Sequence, residues 1–123
     1  MDKLEYIPGD LVIYTSLIKE PIAEICEVHE TSYTIKFMHG NSVRVESNEI
    51  KPIPLTPEIL KKNEWEYDGA TWIFKKGNIS IFILLDDKTY AAHLLGVRVL
   101  EFHFVHQLQH LLFGLGIKHE MEV

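Results

Sequence analysis

Two histidines one helical turn apart are the closest this chain comes to a reaction centre. His106-Gln107-Leu108-Gln109-His110 has the spacing by which a helix offers two imidazoles to a metal, as in the His-Glu-x-x-His signature. Hydrolysis at such a centre also needs a base that takes a proton from metal-bound water. Gln107 stands at the glutamate position, and a neutral amide cannot do this. His103 and His119 are the remaining candidates for a third ligand. His106 and His110 are therefore weak metal candidates, and the expectation is no metal, no cofactor and no catalytic residue. The plainer use of the same pair is packing or hydrogen bonding against a sheet.

Other chemistries find less. Ser16, Ser32, Ser42, Ser47 and Ser80 stand in turns or a strand, none in a Gly-x-Ser-x-Gly elbow. There is no phosphate-binding glycine loop. Asp68, Asp86 and Asp87 lack the ligand spacing of a calcium loop and read as solvated turns. Trp65, Tyr67, Trp72 and Phe74 form an aromatic group able to stack a base or a proline-rich peptide, although tryptophans near a sheet are more often core or rim. The single cysteine, Cys26, excludes an internal disulfide and reads as a small half-buried hydrophobe in a strand.

The histidines are placed by a helix expected over 102–116. Val105, Leu108, Leu112 and Leu115 recur at steps of three and four, with Leu111 beside them, as one apolar stripe. His106, Gln109, His110 and Phe113 make a second stripe, and Gly114 and Gly116 favour a left-handed stop. A His/Gln stripe carrying Phe113 suits an interface, so these four residues, with Trp65 and Trp72, are the candidate partner-binding set.

Strands fill the rest. Pro8-Gly9-Asp10 punctuates the chain before Leu11 to Tyr14, and further strands are expected at 22–28, 33–38, 43–46 and 49–51, with Gly40-Asn41 as a hairpin centre. Pro52 and Pro54 mark an extended linker. Thr56 then caps a short helix with Pro57 at its first position and Lys61 and Lys62 at its end. Strands near 65–68, 71–75, 79–85, 89–95 and 97–101 form a meander, and 117–123 alternates like a closing edge strand.

The entry Ile7-Pro-Gly-Asp-Leu-Val-Ile-Tyr14 resembles the first strand of SH3-like barrels, which implies a fold and little about function. A second resemblance is carried by Ile50-Lys-Pro-Ile-Pro-Leu-Thr-Pro-Glu-Ile-Leu-Lys-Lys-Asn63 together with Val105-His-Gln-Leu-Gln-His-Leu-Leu-Phe113. These stretches are similar to a group of short proteins of anaerobic gut bacteria and their prophages, which share the Ile-x-Pro-Ile-x-Leu-Thr linker and the Val-His-Gln-Leu-Gln helix. Its members follow the linker with an Asn-Gly-Phe-like step, where this chain has Asn63-Glu64-Trp65. The resemblance implies a shared fold and a bacterial or phage setting, and transfers no catalytic residue.

The composition narrows the function classes. A hydrophobic fraction of 46% and a charged fraction of 24% suit a folded globular chain, and no apolar run is long enough to cross a bilayer. The start is polar and acidic, without a secretory signal, which together with the lone cysteine suggests the cytoplasm. A net charge of -6 disfavours nucleic acid, whose affinity rests on phosphate contacts. The expected architecture is α+β: an SH3-like antiparallel β-barrel over 1–54, then over 55–123 a short helix, an antiparallel sheet and the amphipathic C-terminal helix. The expected role is a non-enzymatic protein-binding or adaptor protein that meets a protein partner or a second copy of itself. A nucleic-acid module built on the barrel and a metal-dependent enzyme using His106 and His110 are the alternatives.

Overall fold

In the computed structural model, residues 6–38, 40–84, 86 and 88–123 are described; expectations placed on 1–5, His39, Leu85 and Asp87 lie outside them. The first half forms five strands: β1 (Leu11–Tyr14), β2 (Ile22–Val28), β3 (Ser32–Phe37), β4 (Ser42–Glu46) and β5 (Ile50–Pro52). They pair antiparallel in the order β4-β3-β2-β1-β5. A 3-10 turn, Ser47–Glu49, separates β4 from β5 and is closed by Glu49, whose carboxylate accepts from the Glu46 N–H at 2.9 Å. That turn carries the chain from one edge of the sheet to the other, where β5 pairs with β1. The two edges are not joined, so this sheet is open where a closed barrel was expected.

Period-two alternation gives β1 two buried faces. Val12 points into a core made with Ala23, Ile25, Ile35 and Val45. Leu11 points the other way, into a second core shared with the rest of the chain. β2 carries a bulge between Ile25 and Glu27, which leaves Cys26 without a register partner and half-buried, as its sequence context suggests.

The linker runs on to α1 (Pro57–Lys62), whose first turn is capped by Thr56 Oγ1 accepting from the Ile59 N–H at 3.2 Å. A meander follows: β6 (Glu66–Asp68), β7 (Ile73–Lys76), β8 (Ile79–Ile83), β9 (Tyr90–Leu94) and β10 (Val97–Phe102), paired antiparallel in that order. The fold is thus α+β, two antiparallel sheets with one long helix, α2 (Val105–Gly114). Among the described residues no helix is long and apolar enough to cross a membrane.

Both ends of α2 are set by local chemistry. Gln107 caps the start, its Oε1 accepting from the N–H groups of His103 and Phe104 at 2.9 and 3.0 Å. Phe102 therefore closes β10 instead of opening the helix. The far end is a Schellman stop: Gly116 has φ +71°, its N–H reaches Phe113 O at 3.0 Å, and the Ile117 N–H reaches Leu112 O at 2.9 Å. Val105, Leu108 and Leu112 are buried in the second core against Phe74, Ile81 and Tyr90, whereas Leu115 lies at the rim.

The closing edge strand expected at 117–123 does not form. Asn63 takes its place as hydrogen-bond partner, donating from Nδ2 to Glu122 O at 2.7 Å and accepting at Oδ1 from the Glu122 N–H at 2.8 Å. Met121 and Val123 still pack against the second core, so the alternation reflects burial without a ladder.

Truncation along the helix separates core from rim. Leu108→Ala opens a cavity at a fully buried position and is expected to cost about 2–5 kcal/mol. Leu115→Ala, at a residue 37% exposed, is expected to cost under about 1 kcal/mol. Urea unfolding midpoints of the two variants read the difference.

Candidate functional site

The second stripe of α2 lies against the turn that leads into β1. Gln109 is 1% exposed and its carboxamide is fully engaged. Oε1 accepts from the Leu11 N–H at 3.0 Å, and Nε2 donates to Gly9 O at 3.0 Å and to His119 O at 3.1 Å. One side chain thereby ties the first strand and the C-terminal segment to the helix.

One residue further along, His110 Nε2 lies 2.6 Å from Asp10 Oδ2. The same oxygen accepts from the Ile7 N–H at 2.9 Å. The Asp10 side chain is 1% exposed and that of His110 33% exposed, so a buried carboxylate orients an imidazole whose other edge reaches water. Burial pushes the Asp10 carboxyl above its ordinary range; the Ile7 N–H, His110 and His119 work against that rise.

His106 occupies the inner end of the stripe and is 2% exposed. Its ring packs on three others, with centroids at 4.9 Å to Tyr6, 5.5 Å to His110 and 6.0 Å to Phe104, the last stacked. Nδ1 is buried and has no hydrogen-bond partner. Burial, and secondarily the neighbouring His110, pull the imidazole down to about 4, so His106 is neutral at physiological pH. Tyr6 is also buried, and its phenol is pushed up to about 12 by burial and then by Tyr33 and Asp10.

Tyr6 belongs to a second feature as well. Its ring meets Tyr33 edge-on at 5.6 Å, and both line an open cleft of about 820 Å³ on the first sheet. Val28, Ser32, Lys51 and Pro52 complete much of the wall. Ser32 is buried and its hydroxyl accepts from Arg44 Nε at 2.8 Å, while the Lys51 ammonium is held by Glu20 at 3.3 Å. The lip also carries Glu30 and His29.

The residues expected to meet a partner do not share one surface. His106 and Gln109 are buried inside the chain, and His110 shows one edge. Phe113 is 58% exposed and meets His119 edge-on at 5.1 Å. Trp65 is buried in the second core with Lys76 Nζ 5.7 Å from its ring, and Phe74 is buried there too. Trp72 is 69% exposed in the 69–72 turn and has φ +62°, which is unusual for so large a side chain. Among the described residues no group of three His, Cys, Asp or Glu side chains is placed to hold a metal ion. Asp10 and Tyr6 were not singled out by sequence. Pro8-Gly9-Asp10 reads as turn punctuation, and nothing local reveals a partner 100 residues away.

Comparisons of the chain with protein-family models, with curated proteins and with solved structures find no match.

Two variants test the joint. Gln109→Leu keeps the volume but strands the Leu11 N–H and two carbonyls, and is expected to cost roughly 3 kcal/mol in urea unfolding. His106→Phe tests the buried imidazole. A histidine held at about 4 takes up its proton in the unfolded chain first, so stability falls as pH drops from about 6.5 towards 4. Asp10, shifted the other way, opposes this fall only near its own titration. His106→Phe removes the imidazole's contribution. It is expected to gain about 2 kcal/mol relative to wild type at pH 5 and nothing comparable at pH 7.5, read from unfolding midpoints at the two pH values.

Proposed function

We propose that this chain is a non-enzymatic binding protein that holds an extended peptide segment of a partner protein in the cleft of its first sheet. The observation that carries the reading is the wall of that cleft: two tyrosines set edge-to-face, an exposed valine and a proline, interleaved with hydroxyl and charged groups. Tyrosine gives rigid, amphipathic contact area at low entropic cost, and aromatic grooves suit the preformed extension of proline-containing segments. Charge selects among such segments. Lys51 is engaged by Glu20, which leaves Glu30 at the lip of a chain whose net charge is -6. A segment with proline and one or two basic residues fits best.

The first sheet reads as an SH3-like barrel left open, a reading supported by the return of β5 to β1 through a 3-10 turn. The linker and helix motifs support a bacterial or phage setting, and a cytoplasmic one fits the lone cysteine. Nucleic acid is a poorer ligand, because an acidic chain with its cleft lysine ion-paired offers phosphates little.

One observation favours a second reading. Asp10 orients His110 with one imidazole edge open to water, which is the base half of a proton-transfer enzyme. This reading uses the Asp10–His110 pair alone.

Titration of ¹⁵N-labelled protein with short proline- and arginine-containing peptides tests the first reading. Saturable shifts are expected at Val28, Tyr33 and Lys51, with affinity reduced at least tenfold in Tyr33→Ala. Shifts centred on His110, or none at the cleft, refute it.

A further inference from the structure

Among the described residues, Tyr6 is the one common to the cleft and the buried joint. It lines the cleft, meets Tyr33 edge-on, and lays its ring 4.9 Å from that of His106. The arrangement accommodates a neutral imidazole only. His106 is 2% exposed, its Nδ1 has no acceptor, and its other ring neighbours are Phe104 and a second histidine, His110. A proton added to His106 would sit in an apolar, water-poor space beside a group that is itself cationic when protonated.

We propose that His106 and Tyr6 form a proton-operated gate in the wall of the cleft: protonation of His106 drives the Tyr6 ring off the helix and remodels the cleft while the second core stays packed. Tyr6 separates the imidazole from the cleft that it lines, so moving its ring would open His106 to the water there. Of the other ties of α2, only the His110–Asp10 bond is titratable among those described. Val105, Leu108 and Leu112 hold it in the second core, and the neutral Gln109 amide keeps Gly9 and Leu11 in place. The movement is thereby confined to the residue that precedes this clamp.

Among the described residues the titratable groups around the gate are few. The turn before β1 contributes Asp10, bonded to His110 and to the Ile7 N–H. α2 contributes His110, the C-terminal segment His119, and β3 Tyr33. His29, Glu30 and Lys51 stand at the cleft lip. Of these, the Asp10–His110 pair is able to imitate the effect, since His110 packs on His106 and Asp10 lies near Tyr6. The gate is independent of what the cleft binds.

The test is an acid titration of the full chain, with tyrosine and histidine rings ¹³C-labelled, followed by NMR. The Tyr6 ring signals, assigned with Tyr6→Phe, are expected to shift in step with the His106 imidazole, with a shared midpoint at about pH 4. The Tyr90 signals, which report the second core, are expected to stay in place through that transition. In His106→Gln the Tyr6 shift is expected to disappear. The proposal is overturned if the shift survives that substitution, which would make the Asp10–His110 pair its source. It is equally overturned if Tyr6 and Tyr90 change together, or if His106 titrates without Tyr6. Should His106→Gln not fold, the wild-type titration decides alone: separate midpoints for Tyr6 and His106 end the proposal.

Discussion

The carboxamide of Gln109 is shared by three main-chain groups drawn from both ends of the chain, and the mutual placement of the two sheets depends on it. Its partners, the Leu11 N–H and the Gly9 and His119 carbonyls, would each cost free energy if buried unpaired. An amide suits the position because it donates and accepts at once without bringing a charge. The apolar stripe of α2 would tolerate small rotations against the second sheet. The amide does not, since its donors and acceptor are directional. The helix is held in the core by hydrophobic burial and given its register on the first sheet by one side chain.

The Asp10–His110 pair beside it has a different role. A buried carboxylate loses hydration that its partner only partly returns, so such a pair adds little net stability. It does penalise every alternative docking of the helix that would leave Asp10 buried alone. The same holds in weaker form for His106, whose unsatisfied nitrogen is tolerated because three rings pack around it. The polar stripe of α2 therefore specifies the arrangement while the apolar stripe stabilises it.

This division explains what was legible in the sequence. Period-two and helical patterns report burial, so the strands, the Thr56 cap and the leucine stripe could be read directly. The His/Gln stripe could be recognised as needing partners, but the partners lie about 100 residues away in a segment that looks like ordinary turn chemistry. Residues 117–123 misled for a related reason: alternation signals one buried face, and Asn63 satisfies that segment without a strand. Barrel closure was equally out of reach. It depends on whether β4 and β5 meet, and the three-residue turn between them sends the chain across to β1.

The edge at β10 shows the same logic applied against unwanted pairing. A bulge between Arg98 and Leu100 shifts the strand's register, so Arg98 and Glu101, three residues apart, come to the same face. They form an ion pair at 2.6 Å along a strand, where residues at that spacing ordinarily point to opposite faces. Exposed Val97 and Val99 would otherwise offer an apolar edge to another strand. The bulge interrupts the edge's hydrogen-bond pattern, and the ion pair would have to be desolvated before a second chain could add. Strand addition at β10 is thus opposed by the same means that orders the helix joint, a polar group placed where the wrong contact would leave it unsatisfied.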